Sequence, residues 1–229
     1  MSRTRAAYFA EIRDRMEDRG VTFHEELAST LVHVVGAVLA TAALVLLMVL
    51  ASDTGSARAI TACAIYGSTA VLMFVVSATY HGVWHSGAKA AFLVLDHCAI
   101  FILIAGTYTP VVLLALPHTL GWTLLGVIWG LAALGIVARL WIGHLHWILI
   151  PIFVAMGWLG FAWADTLFAA MGDSGGWLLL SGGIVYTGGL VFFAWRNLPF
   201  NHAIWHVFVL GGAVCHFLAV AIYAVPKAM

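Results

Sequence analysis

The chain has 229 residues, of which 63% are hydrophobic and only 9% are charged. Water-soluble domains carry roughly a quarter of charged residues, so this composition excludes an ordinary soluble domain. The 10 Lys and Arg residues balance the 10 Asp and Glu residues, which also argues against a nucleic-acid partner because such proteins carry a basic surface.

The first 27 residues are rich in charge and differ from the rest of the chain. Within them Tyr8, Ile12 and Met16 are spaced i, i+4, i+8, which predicts a short amphipathic helix at the membrane surface. A solvated helical tail is the alternative. We therefore divide the chain into a cytoplasmic N-terminal tail, residues 1–27, and a transmembrane domain, residues 28–229.

Apolar runs follow one another along the rest of the chain, separated by short polar breaks. A membrane-spanning helix needs about 20 mostly apolar residues, and lipid offers no partners for unpaired backbone groups. The sequence therefore predicts an all-α integral membrane protein, a seven-helix bundle with spans at about 28–51, 59–81, 92–114, 121–141, 147–168, 177–195 and 202–224. Gly-Gly pairs at 182–183, 188–189 and 211–212 favour close packing of helices.

The distribution of Lys and Arg predicts the orientation of these spans. With the N-terminus inside, eight of the ten basic residues lie on the cytoplasmic side, namely Arg3, Arg5, Arg13, Arg15, Arg19, Lys89, Arg139 and Arg196. Only Arg58 and Lys227 lie on the other side. The positive-inside rule then places the N-terminus in the cytoplasm and the C-terminus outside.

Several polar side chains fall inside the predicted spans, where each is costly and therefore a candidate for function. They are His33, Ser77, His81, Asp96, His97, Asp165, His202, His206 and His216. On the predicted topology, His81, Asp96, His202 and His206 lie within about two helical turns of the cytoplasmic face. Asp165 lies near the opposite face, where we expect it to extend toward the outer interface; the alternative is that it faces a water-filled cavity inside the bundle.

This convergence predicts a metal site. His202 and His206 are i, i+4 and share one face of a helix, as two imidazoles that bind one metal ion do. Three imidazoles and a water molecule would form the open tetrahedral site of a catalytic zinc centre, although imidazole also suits other metals. Asp96 would accept a proton from that water and Ser77 would donate a hydrogen bond. Structural polar contacts are the alternative, and we favour that alternative for His33, His97 and His216.

Three segments resemble the motifs of bacterial haemolysin III proteins, which belong with the progestin and adipoQ receptors, including the adiponectin receptors. The segments are Ser77-Ala-Thr-Tyr-His81, Asp96-His97-x-x-Ile100-Phe101 followed by Ala105-Gly106-Thr107-Tyr108-Thr109-Pro110, and Asn201-His202-Ala-Ile-Trp-His206 with Val214-Cys215-His216-Phe217. One departure is visible, because the usual E-E-x-x-N-x-x-T-H entry has Ser29 for Asn and Val32 for Thr.

The resemblance implies a seven-helix bundle with a cytoplasm-facing zinc site in the plasma (inner) membrane. Its implied zinc ligands are His81, His202 and His206, with Asp96 and Ser77 around the zinc-bound water. Glu26 and His33 are implied supports at the same face. Since the wider superfamily includes alkaline ceramidases, the implied activity is hydrolysis of lipid amides, with membrane lipids as partners and a role in lipid homeostasis.

Two other functions fit the sequence. One is a non-enzymatic membrane protein with a structural zinc, either a pore-forming haemolysin or a sensor of membrane composition. The other is haem binding, because His202 and His216 are 14 residues apart on one helix. Haem binding lacks a second pair at that spacing on a facing span, so the sequence favours it least.

Overall fold

The computed structural model describes residues 21–142 and 148–228, and the regular structure in those two ranges is helical throughout. The α-helices within them are α1 (Phe23–Asp53), α2 (Ala57–Gly82), α3 (Ser86–Leu114), α4 (His118–Ile142), α5 (Leu149–Trp158), α6 (Ala164–Ala194) and α7 (Asn201–Ala219). A 3-10 segment, Leu159–Trp163, joins α5 to α6, and irregular turns extend α7 to Ala228. The amphipathic helix predicted around residues 8–16 lies outside the described residues.

The start of α1 is set by a capping box. The side chain of Thr22 accepts a hydrogen bond from the backbone N–H of Glu25, and the Glu25 carboxylate accepts one from the N–H of Thr22 at 2.9 Å. These bonds satisfy backbone donors that a helix end leaves unpaired. The helix therefore begins at Phe23, before the start predicted from hydrophobicity, and carries two acidic residues in its first turn.

The predicted all-α membrane class is confirmed, with one difference in the count of spans. Six helical segments in the described ranges are long and apolar enough to cross a membrane. The count is six because the predicted fifth and sixth spans both fall within one continuous run of 46 residues, Leu149–Ala194. That run is interrupted at Gly172, whose φ of 71° and ψ of 165° are not helical. The chain is a multi-pass membrane protein.

The helices pack in sequence order, and the first and last helices are also neighbours. Helix α1 packs along α2, α2 along α3, and α6 along α7, while α1 also contacts α7. The bundle is thereby closed on the side where α1, α2 and α7 meet. This three-helix junction is where the predicted metal ligands lie.

The close packing of α6 on α7 depends on the predicted Gly-Gly pairs. A Cβ at Gly182 would overlap the ring of His216, and a Cβ at Gly212 would overlap the ring of Tyr186. Each aromatic ring thus packs directly on the backbone of the opposite helix. Small residues at such positions let membrane helices approach closely.

The two ends of the bundle differ in character. The end farther from the start of α1 is filled by an apolar cluster that includes Leu47, Cys63, Val111, Met171 and Val220. The end nearer the start of α1 contains buried polar side chains, among them His33, Ser77, His81, Asp96 and His206. The three cysteines, Cys63, Cys98 and Cys215, are free thiols.

Candidate metal centre

Three buried histidines from three helices face one another at the junction of α1, α2 and α7. They are His33, His81 and His206, and each side chain is at most 3% exposed. One ring nitrogen from each can be chosen so that all three nitrogens lie within 4.8 Å of one another. This group of three imidazoles could hold a metal ion.

The spacing of the two closest imidazoles suits coordination. The Nε2 atoms of His81 and His206 are 3.0 Å apart. Zinc binds imidazole nitrogen at about 2.0–2.1 Å, so two ligands of a tetrahedral site stand about 3.3 Å apart. The ring of His33 packs against His206 with centroids 4.1 Å apart. The residues therefore fit a metal with little rearrangement.

Two of these rings carry an unpaired nitrogen. The Nδ1 atoms of His33 and His206 are buried and have no hydrogen-bond partner among the described residues. A buried polar atom without a partner costs free energy, so a cluster of this kind is expensive as mere packing. Neutral imidazole is a good ligand for zinc, copper, iron and nickel, which also favours a metal at this position.

His202 lies on the first turn of α7, beside the same cluster. Its ring centroid is 5.2 Å from that of His81 and 4.4 Å from that of His206. The rings of the three ligands predicted from the sequence are therefore neighbours, but the group whose nitrogens all lie within 4.8 Å of one another contains His33 in place of His202. His33, which the sequence treats as a packing residue, joins them as a fourth imidazole. Which three bind a metal stays a prediction.

The two predicted catalytic residues lie next to the histidines. Ser77, one turn before His81 on α2, places its Oγ 3.0 Å from Nε2 of His33. Asp96, on α3, is buried and lies beside Ser77. The structure thus brings a carboxylate, a hydroxyl and four imidazoles into one polar cluster. Their catalytic roles stay predictions.

An internal cavity of about 200 Å³ opens from this cluster. Polar residues line one end of it, including Ser77, Asp96, His97, His202 and His206. The rest of the lining is mainly aliphatic and aromatic side chains of α3, α5, α6 and α7. A cavity with a few polar groups at one end and an apolar body is typical of a site for an amphiphilic ligand.

A smaller cavity of about 60 Å³ continues toward the far end of the bundle. It shares Thr107, Tyr108, Gly157, Gly183 and His216 with the larger one. His216 is held there by a 3.1 Å contact between its Nε2 and the carbonyl of Leu179. This is the packing role that the sequence favours for His216.

The structure also shows a buried cation that the sequence analysis missed. Arg139 on α4 is only 1% exposed, and its Nε donates a 2.9 Å hydrogen bond to Nδ1 of His97 on α3. The sequence counts Arg139 as a cytoplasmic charge at the end of a span. Asp165, in contrast, is exposed in the first turn of α6, in keeping with the expectation that it reaches the interface.

Comparison with known proteins places these features in a family. Residues 21–217 match the family model described as haemolysin-III related. The chain is 42% identical to Hemolysin-3 of Bacillus cereus over 205 residues, which cover 89% of this chain and 94% of that protein. It is 41% identical to a Hemolysin-3 homolog of Bacillus subtilis, with 89% and 96% covered.

The chain is also similar to an animal protein, at lower identity. The chain is 30% identical over 164 residues to the monocyte to macrophage differentiation factor of Homo sapiens, which covers 68% of this chain and 67% of that protein. No solved structure matches the chain.

Proposed function

This chain belongs to the haemolysin-III-related family, and we propose that it is a zinc-dependent membrane hydrolase that cleaves amide bonds of lipids. One observation carries the proposal: buried imidazoles from three helices stand at the polar end of an apolar internal cavity. Metal ligands and a site for an amphiphilic molecule are thereby adjacent.

We assign the zinc ligands to His81, His202 and His206. His81 and His206 have facing Nε2 atoms, and His202 precedes His206 by one helical turn and packs on both rings. His33 then supports the centre through its hydrogen bond with Ser77. If the zinc content falls in His33→Ala and persists in His202→Ala, the third ligand is His33 and not His202.

A zinc ion held by these imidazoles would supply a Lewis acid that makes water a better nucleophile toward a carbonyl group. The Asp96 carboxylate is placed to accept the proton released when water adds to the amide carbon. The Ser77 hydroxyl lies between Asp96 and His33 and orients both. Cleavage of the C–N bond then gives a carboxylic acid and an amine, with the proton from Asp96 going to the amine.

The cavity supports a lipid as the substrate. Its aliphatic and aromatic lining, with residues such as Leu103, Phe153 and Val209, can bury an acyl chain and exclude bulk water from the polar end. An acyl chain that enters from the bilayer moves between two apolar surroundings, so its transfer into this lining carries little hydrophobic cost. An amide at the head of that chain would lie against Asp96 and the histidines.

We further propose that the chain crosses the membrane seven times. The run Leu149–Ala194 has 46 residues, which at 1.5 Å per residue would extend about 69 Å, more than twice the hydrocarbon thickness. Its break at Gly172 divides it into two lengths that each suit one crossing. The predicted fifth and sixth spans correspond to these two lengths.

The orientation that we propose has the N-terminus in the cytoplasm and the metal centre near the cytoplasmic face of the plasma membrane. The basic residues support this orientation, and exposed tryptophans lie at both of the expected interfaces. Trp84, Trp141 and Trp195 mark the cytoplasmic side, and Trp122 and Trp177 mark the other. Trp is enriched at the membrane–water interface.

The direct test is to incubate the purified protein with a ceramide and to follow release of the fatty acid by mass spectrometry. We expect release by the wild type and a loss of about 10²–10⁴-fold in Asp96→Asn, because a positioned proton acceptor contributes that much. Zinc should remain bound in that variant. Equal release by wild type and Asp96→Asn would contradict the role of Asp96.

The names of the Bacillus relatives favour a second function, cytolysis with a structural zinc. Leakage of a dye from liposomes distinguishes the two functions. Leakage that persists in a variant lacking His81, His202 and His206 would favour a pore. Fatty-acid release without leakage would favour the hydrolase.

A further inference from the structure

Glu26 connects the candidate metal centre to Lys89, a cation on α3. One carboxylate oxygen, Oε2, is 2.7 Å from Nδ1 of His81 on α2, and the other, Oε1, is 3.1 Å from Nζ of Lys89. The side chains of Glu26, His81 and Lys89 are 12%, 3% and 15% exposed, respectively. These contacts are therefore largely shielded from water. Ion pairs and charge-assisted hydrogen bonds are stronger when they are shielded in this way.

The contact with Glu26 decides which nitrogen of His81 carries the proton. An ionised carboxylate can only accept a hydrogen bond, so Nδ1 of His81 must donate it. In the neutral imidazole that metal binding requires, Nε2 of His81 then carries the lone pair. This atom faces Nε2 of His206 at 3.0 Å. Glu26 thus presents the ligating nitrogen of His81 toward the centre of the cluster.

Lys89 links Glu26 to the end of α2. Its Nζ donates to the backbone carbonyls of Tyr80 and His81 at 3.1 and 3.4 Å, and it lies 5.0 Å from the centre of the Tyr80 ring. These carbonyls belong to the last turn of α2, where a cation is favourable. The same cation also balances the charge of Glu26.

The neighbouring carboxylate, Glu25, makes a different set of contacts. It accepts hydrogen bonds from the backbone N–H of Thr22 at 2.9 Å and from the N–H of Phe200 at 3.1 Å. Glu25 therefore caps α1 and holds the loop before α7. It offers a matched control, with the same chemistry one position away in sequence.

We propose that Glu26, supported by Lys89, is the positioning residue of the metal centre, because it fixes the tautomer and orientation of His81. The inference rests on the proposed metal site and does not depend on the substrate. A carboxylate that accepts a hydrogen bond from a metal-bound imidazole typically raises metal affinity 10–100-fold.

The test is a zinc titration of the purified full-length protein against a chromophoric chelator, with zinc alone as the probe. We expect Glu26→Gln to weaken zinc affinity by about 10–100-fold, Glu26→Asp to restore part of that loss, and Glu25→Gln to change affinity by less than about threefold. Thermal unfolding of each metal-free variant, measured in parallel, separates a loss of folding from a loss of positioning.

Two results would overturn the inference. One is wild-type zinc affinity in Glu26→Gln, and the other is an equal loss in Glu25→Gln and Glu26→Gln. If Glu26→Gln does not fold, Lys89→Met decides in its place: weakened zinc affinity supports the inference and unchanged affinity overturns it. A wild type that binds no zinc would overturn both the metal site and this inference, whereas zinc binding without lipid hydrolysis would overturn only the hydrolase.

Discussion

Imidazoles dominate the chemistry at the scale of single residues. His33, His81 and His206 approach one another from three helices, and His202 packs on two of them. An uncharged imidazole costs less to bury than a carboxylate or an ammonium group, so four of them can share an apolar interior. The facing Nε2 atoms of His81 and His206, 3.0 Å apart, are where a metal would bind. The unpaired Nδ1 atoms of His33 and His206 are a separate cost of burying the cluster.

The residue scale also shows where sequence reasoning succeeds. His81, Asp96, His202 and His206 could be placed together because their positions at the ends of spans fix their depth in the membrane. For His33 the resemblance implies only a place at the same face, because its contacts depend on α1 packing beside α7. Likewise, the contact between Arg139 and His97 depends on the rotation of α4 about its own axis, which a uniformly apolar helix does not reveal.

That buried pair gives a prediction about stability. Replacing His97 with Leu removes the acceptor of the Arg139 hydrogen bond and should destabilise the protein by about 1–3 kcal/mol, the usual cost at a buried charged donor. The measurement is the midpoint of thermal unfolding in detergent. His118→Leu is the matched control, because His118 accepts from Trp122 on an exposed surface. Equal midpoints for the two variants would refute the structural role of the pair.

At the scale of helices, close approach is set by glycine. Along α4, Gly135 faces the buried ring of Phe101, whereas nothing lies within 4 Å of a Cβ built at Gly130. Both positions read alike in the sequence, as glycines in an apolar run. The structure separates a packing position from one that faces outward.

These two glycines make a paired test of the packing of α4 on α3. Gly135→Ala should destabilise the protein by about 1–3 kcal/mol, since the added methyl overlaps Phe101 and forces a shift. Gly130→Ala should be neutral or stabilise the helix by up to about 1 kcal/mol, because Ala has the higher helix propensity. Unfolding in detergent measures both, and a larger loss for Gly130→Ala would contradict the packing described.

Helix boundaries show a second limit of the sequence. Hydrophobicity predicts a first span beginning at residue 28, but α1 begins at Phe23 because of the Thr22 and Glu25 capping box. Capping chemistry extends a helix beyond its apolar run. That extension matters here because Glu26 lies in the added turn and reaches His81.

At the scale of the whole molecule, the break at Gly172 decides the topology. Seven crossings place residues near the break outside the cell and the loop before α7 inside. In a variant with Cys63, Cys98 and Cys215 replaced, a cysteine at the exposed position Ser174 should react with a membrane-impermeant maleimide on intact cells. A cysteine at the exposed position Asn197 should react only after lysis. Labelling of both positions from one side would contradict seven crossings.

The contrast between the two ends of the bundle is also a property of the whole molecule. Apolar residues form the far end, toward which the smaller cavity extends, while the near end contains the histidines and the polar part of the larger cavity. The sequence shows which residues lie at each end but does not reveal the cavity, because its shape depends on how several helices pack.

The metal content of the purified protein tests the central claim most directly. We predict about one zinc ion per chain in the wild type and almost none in His81→Ala or His206→Ala, since each variant removes one of the two facing Nε2 ligands. The His118→Ala variant should retain the full amount, because His118 lies on the exposed start of α4. A wild-type protein without metal, or full zinc occupancy in both His81→Ala and His206→Ala, would contradict the account.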